Sequence, residues 1–121
     1  YGNADYRNWG GPPGDTPFDF MVLDAVWFKD LLRDPGFYRK LKDRYKELRN
    51  TVFMEFLPLI DETAEYIRKA AESNFKRHDV LDIRLWPNPP AVVEANSFDK
   101  QVSYLKNWIT DRLKWLDSQW L

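Results

Sequence analysis

Apolar positions recur along this chain at steps of three and four residues, and each run of them predicts an amphipathic helix. Val26, Trp27, Phe28, Leu31 and Leu32 make a short first run, with Asp24 placed to cap it. It ends at Asp34-Pro35, where a second helix starts with Asp34 as N-cap and Pro35 at its first position. Tyr38, Leu41, Tyr45 and Leu48 form the apolar side of that helix; Lys40, Lys42, Asp43, Lys46 and Glu47 fill the other.

Asn50-Thr51 separates it from a long third helix, for which Thr51 is the expected N-cap. Its stripe reads Phe53, Phe56, Leu57, Ile60, Ala64, Ile67, Ala71 and Phe75. Pro58 lies inside the run and lacks a backbone donor, which predicts a kink or local break between Met54 and Pro58. Beyond Asn74 the helical pattern fails. Val80 to Leu85 alternates weakly and reads as one extended segment, and Trp86-Pro87-Asn88-Pro89-Pro90 demands a non-helical path.

The last run is the clearest. Ser97 is the expected N-cap, and Phe98, Val102, Leu105, Ile109, Leu113, Leu116 and Trp120 form one stripe flanked by Trp108 and Trp115. Asp99, Ser103, Lys106, Thr110, Lys114 and Asp117 line the far side. Tyr1 to Pro17, punctuated by Gly2, Gly10, Gly11, Pro12, Pro13 and Gly14, reads as loop. No segment argues for a sheet. The expected fold is all-α: a bundle of three to four helices, two of them long and antiparallel, behind an irregular N-terminal region over residues 1–23.

Composition narrows the chemistry. The 121 residues fit one domain and hold six tryptophans, six tyrosines and eight phenylalanines, but no cysteine and one histidine. Thiol chemistry and thiolate metal sites are excluded. A formal net charge of −1 gives no broad attraction to nucleic acid or anionic lipid. No apolar run approaches the ~20 residues needed to span a bilayer. The chain opens on Tyr1 with no methionine before Met21, which suggests a piece of a longer protein.

Few side chains stand out as chemical candidates. Gly10-Gly11-Pro12-Pro13-Gly14 lacks two of the backbone donors a phosphate cradle needs, so a plain turn is the better reading. His78 has no second histidine or cysteine with which to share a metal. Asp61, Glu62 and Glu65 cluster on the third helix, but Arg68 and Lys69 follow at helical spacing, as on any solvated face. Arg112 sits beside the apolar stripe between Trp108 and Trp115. A stem packed over tryptophan with the guanidinium paired to a carboxylate is the plainer account, and a phosphate contact the sharper one. Most aromatics share stripes with leucine and isoleucine and read as core; Trp9 and Trp86, in loops, are candidates for contact with carbohydrate or a partner protein.

Tyr1-Gly2-Asn3-Ala4-Asp5-Tyr6 resembles the segment after the metal-binding Asp motif in the spore-coat CotH kinase-like family. Residues 27–37, from Trp27 through Asp34-Pro35 to Phe37, are similar to its "W…LL-D-P-F" element. Asp43 to Arg49 is similar to "R-W-x-E-L-R", with Tyr45 in place of tryptophan. Asn74 to Arg77 and Trp86 to Pro89 resemble the stretch joining the last two helices. Tyr104 to Asp117 resembles the closing "Y-L-K-N-W-x-x-x-R-x-x-W-L/M-D". His78 departs from a usual tryptophan, and residues 80–83 look altered or lengthened.

The resemblance implies an atypical protein kinase, secreted or attached to a cell surface or spore coat, that uses ATP and Mg2+. It also implies that this chain is only the C-terminal helical part, with the catalytic groups upstream and no catalytic residue to carry over. Asn3 and Asp5 would lie at the rim of the parent's active site. The implied role is a buttress or substrate frame, inactive alone, whose partners are the rest of the kinase and a protein substrate. An apolar face around residues 1–28 would meet the missing lobe or pair two copies. The alternative is a non-enzymatic helical module binding carbohydrate or a partner protein. Adhesion to lipid through the last helix is disfavoured by Asp99, Asp111 and Asp117.

Overall fold

A computed structural model describes residues 17, 18, 23, 26–85 and 90–121. Every regular element among them is helical: α1 (Val26–Arg33), α2 (Pro35–Arg49), a 3₁₀ turn (Val52–Glu55), α3 (Phe56–Arg77), the short α4 (Pro90–Glu94) and α5 (Phe98–Trp120). The all-α expectation holds. The chain divides into two compact units, Tyr1–Met54 with Thr110–Leu121, and Glu55–Ile109.

In the first unit, α2 starts as its sequence requires. Asp34 is extended and its Oδ1 accepts the Phe37 backbone N–H at 2.6 Å, while Pro35 occupies the first turn, where a missing donor costs nothing. Asn50 closes the helix, its N–H reaching the Lys46 carbonyl at 3.2 Å. Thr51 corrects an expectation: its hydroxyl donates to the Glu47 carbonyl at 2.7 Å, so it ties off α2 instead of capping α3. A threonine that follows a helix has orphan carbonyls within reach, and these captured it. Tyr45 is the most buried described residue at 4% exposure, and its ring meets Trp120 edge-on with centroids 5.3 Å apart and Phe53 at 6.1 Å. Contacts of that geometry add stabilisation beyond area alone. By contrast, no residue of α1 is fully buried, and only Phe28 and Leu32 are half-buried.

In the second unit the predicted break before Pro58 appears as a change of helix type. The 3₁₀ turn ends at Glu55 and α3 begins at Phe56, which leaves Pro58 in the first α-turn, where its absent N–H would have been unpaired. The helix start has no side-chain cap. Ala64 and Ala71, seven residues apart, are both buried and line one face. Lys106 reaches Asp61 at 2.6 Å and Arg68 reaches Asp99 at 2.8 Å. Seven residues forward on α3 is thus matched by seven back on α5, which fixes the two segments as antiparallel.

Two further expectations change. Val80 to Leu85 is not an extended segment: the Ile83 N–H bonds the Val80 carbonyl at 3.3 Å in a turn, since a lone alternating stretch has no ladder partner for its backbone. Pro90, expected on a non-helical path, instead opens α4, and Gln101 Nε2 donates to the Val92 and Ala95 carbonyls at 2.8 and 2.7 Å, satisfying that short helix's end. Ser97 caps α5 as expected, its Oγ accepting from Lys100 N at 3.3 Å. On the far side of α5, Asp99 and Lys106 bond side chains of α3, and Asp117 bonds one of α2.

Candidate functional site

Of the residues singled out from sequence, Asn3, Asp5, Trp9 and Trp86 lie outside the described residues, as does the Gly10–Gly14 turn. Arg112 is described, and it is 8% exposed. Its guanidinium lies 5.0 Å from the Trp115 ring centre, and Nη1 donates to the Pro17 carbonyl at 3.0 Å. The stack over tryptophan is as expected; the hydrogen bond to a backbone carbonyl was not. A planar cation that stacks on an indole and donates to a carbonyl is held by one face and its edge.

The same unit holds a second polar cluster. Tyr45 and Arg49 stand one turn apart on α2 and converge on Asp117 near the end of α5. The Tyr45 hydroxyl donates to Asp117 Oδ1 at 2.6 Å and lies 3.4 Å from the Leu113 carbonyl. Arg49 Nε reaches Oδ1 and Oδ2 at 2.9 and 3.1 Å. Burial, the Asp117 hydrogen bond and its negative charge push the Tyr45 phenol well above its ordinary pKa. Burial raises the Asp117 carboxyl, but the hydrogen bonds from Arg49 and Tyr45 and the Arg49 charge outweigh it, so the pKa is lowered. The Arg49 guanidinium is raised by its bond to Asp117.

Such a cluster is built to hold charge still. A phenol pushed up in pKa is a poor base near neutrality, and a carboxylate with a lowered pKa and three internal bonds is a poor proton acceptor. The Asp61, Glu62 and Glu65 group on α3 is likewise partly spent on ion pairs: Asp61 bonds Lys106, and Glu65 bonds Arg68 at 2.8 Å. Arg68, held also by Asp99, is raised in pKa first by its Glu65 hydrogen bond. His78 is exposed and serves as the C-cap of α3 through its backbone. Among the described residues no group of three His, Cys, Asp or Glu side chains could hold a metal ion. An open depression of about 480 Å³ beside Trp120 is lined by Lys42, Asp43, Lys46, Asn50 and Leu121.

The sequence profile of the CotH kinase protein family matches residues 6–116. The chain belongs to that family. No curated protein and no solved structure matches it.

Membership gives the two clusters a common reading, because they join the stretches that resemble the CotH-like elements. Tyr45 and Arg49 belong to the "R-W-x-E-L-R" stretch, and Asp117 is the last letter of the closing "W-L/M-D". Arg112 and Trp115 are the arginine and tryptophan of that closing element, stacked on each other. Asp34-Pro35 of the "D-P-F" element is a helix start. In this CotH-family chain these motif residues therefore hold helices in place. Sequence reading missed the Tyr45–Asp117 bond because it placed Asp117 on the far side of the last helix, away from the apolar stripe. The available signal was Tyr45 on an apolar stripe with Arg49 one turn later: a buried hydroxyl and a cation that together require an acceptor.

Proposed function

We propose that these helices are the C-terminal subdomain of a CotH-like protein kinase and act there as a buttress or a frame for a protein substrate. The observation that carries this reading is α1: it buries no residue, and it presents Val26 at 76% and Trp27 at 68% exposure. A helix that leaves tryptophan and valine in water gains little from folding alone, so an apolar partner surface is needed to account for it. In the proposed parent that surface is the catalytic lobe, which supplies the ATP- and Mg2+-binding groups and the phosphoryl transfer. The ordered polar clusters on α2 and α5 give the buttress its rigidity, and the Tyr45–Asp117 pair is not in a protonation state suited to proton transfer.

The test reconstitutes the kinase from two pieces. This chain mixed with Mg2+–ATP and a general protein substrate is expected to incorporate no phosphate. Added to the separately produced remainder of the parent, it is expected to bind and to raise phosphorylation, with Trp27→Ser weakening both. Phosphorylation by this chain alone, or a Trp27→Ser chain that binds the remainder as well as wild type, overturns the reading.

A further inference from the structure

The face of α3 opposite its buried alanines carries a pattern that its own fold does not use. Leu59, Thr63, Tyr66 and Ala70 follow one another at steps of four, three and four, the spacing of a coiled-coil seam. At ~100° per residue, Tyr66 falls on the side of the helix away from Ala64. All four are exposed, Leu59 at 56% and Tyr66 at 89%. Beside this seam, Glu55, Glu62, Lys69 and Lys76 recur every seventh residue and therefore form one row. Glu55 ends the 3₁₀ turn in helical conformation, so it continues the row. All four charges are exposed, and none has an ion-pair partner among the described residues.

The row is acidic in its first half and basic in its second. Laid antiparallel against an identical row, it is complementary to itself: Glu62 meets Lys69 of the second copy, and Glu55 meets Lys76. The seam agrees in the same register. Leu59 falls opposite Ala70 of the second copy and Tyr66 opposite its Thr63, large against small in every layer, and Glu62 and Lys69 flank those same layers. A parallel alignment matches neither charge nor size. Two independent patterns thus select one geometry, and the geometry points to an antiparallel homodimer through α3, with a two-fold axis between Ala64 and Glu65. Its partner is a second copy of this chain. The surface is distinct from the α1 face, so it does not depend on the kinase reading.

Four layers over about 16 Å of helix make a small interface, so dissociation constants on the order of 100 μM are expected. Sedimentation equilibrium from about 10 μM to 1 mM should show a monomer–dimer equilibrium. Tyr66→Ser should abolish it; at that exposure the substitution leaves the fold intact, which far-UV circular dichroism verifies. Glu62→Lys sets two like-charged pairs across the axis and should weaken association about ten-fold, and Glu62→Lys/Lys69→Glu should restore it. Since the chain has no cysteine, direction can be read by crosslinking. A mixture of Glu62→Cys and Lys69→Cys chains should oxidise to the mixed disulfide faster than either chain alone. A monomer at every concentration, preferential Glu62→Cys self-crosslinking, or a dimer that survives Tyr66→Ser and is lost in Trp27→Ser overturns the inference.

Discussion

Tyr45 donates its hydroxyl proton to Asp117 across 72 positions of sequence, at 2.6 Å, and the bond joins α2 to the end of α5. Arg49 holds the same carboxylate, so one acceptor near the C-terminus fixes two side chains one turn apart. A hydrogen bond to a charged acceptor is worth more than a neutral one, and here its donor is the most buried described side chain. Tyr45→Phe keeps the ring contacts with Trp120 and Phe53 and removes only the bond. It should lower stability by about 1.5–2 kcal/mol in urea unfolding. A Tyr45→Phe chain as stable as wild type would show that the bond contributes nothing.

The cluster also sets a pH dependence with two edges. The folded-state pKa of Asp117 lies below its unfolded value. Its contribution is therefore present above the unfolded aspartate pKa of about 3.9 and lost as pH falls through the lower folded value. The deficit of Asp117→Asn relative to wild type should accordingly be full at pH 6 and shrink below about pH 4. Constant deficits down to about pH 2 would contradict it.

The alkaline edge has the opposite sign. The Tyr45 phenol is raised above its ordinary value of 10.0. Its contribution is complete below that value and declines as pH rises through it toward the higher folded pKa. Comparing wild type with Tyr45→Phe by chemical denaturation, the gap should be constant to about pH 9.5 and narrow above about pH 10. Absorbance near 295 nm should show a late-ionising phenol that disappears in Tyr45→Phe.

Helix positions and most helix ends were legible before the fold was known, because capping chemistry and apolar spacing are local. Asp34-Pro35 and Ser97 announce helix starts on their own. Thr51 shows the limit: it satisfies a carbonyl behind it as readily as an amide ahead, and only the emerging 3₁₀ turn decides which. Asp117 shows another. A carboxylate on the polar side of a stripe looks solvated until a second helix arrives carrying a phenol and a guanidinium. Arg112 was the one candidate whose position beside the stripe and between tryptophans already indicated burial, and the structure buries it.

That burial makes Arg112 a test of role. Its cation sits over Trp115 and bonds the Pro17 carbonyl. Lysine carries the same charge without the planar fork or the stacking face, so Arg112→Lys should cost about 1–2 kcal/mol in thermal or urea unfolding. A site kept only for anion contact would tolerate lysine with unchanged stability.

The start of α2 supplies a last prediction, in which two effects compete. Asp34→Ala removes the bond to Phe37 N and should cost about 1 kcal/mol. Gly36 lies inside the first turn, where alanine is favoured over glycine by up to about 1 kcal/mol. A β-carbon there would stand 3.0 Å from Asp34 Oδ1, the atom that makes the cap. The capping carboxylate must therefore yield, and part of the propensity gain is lost with it. Gly36→Ala should stabilise the chain more in the Asp34→Ala background than in wild type, and a double-mutant cycle by urea denaturation measures the difference. Equal gains in both backgrounds would mean that the carboxylate moves aside at no cost.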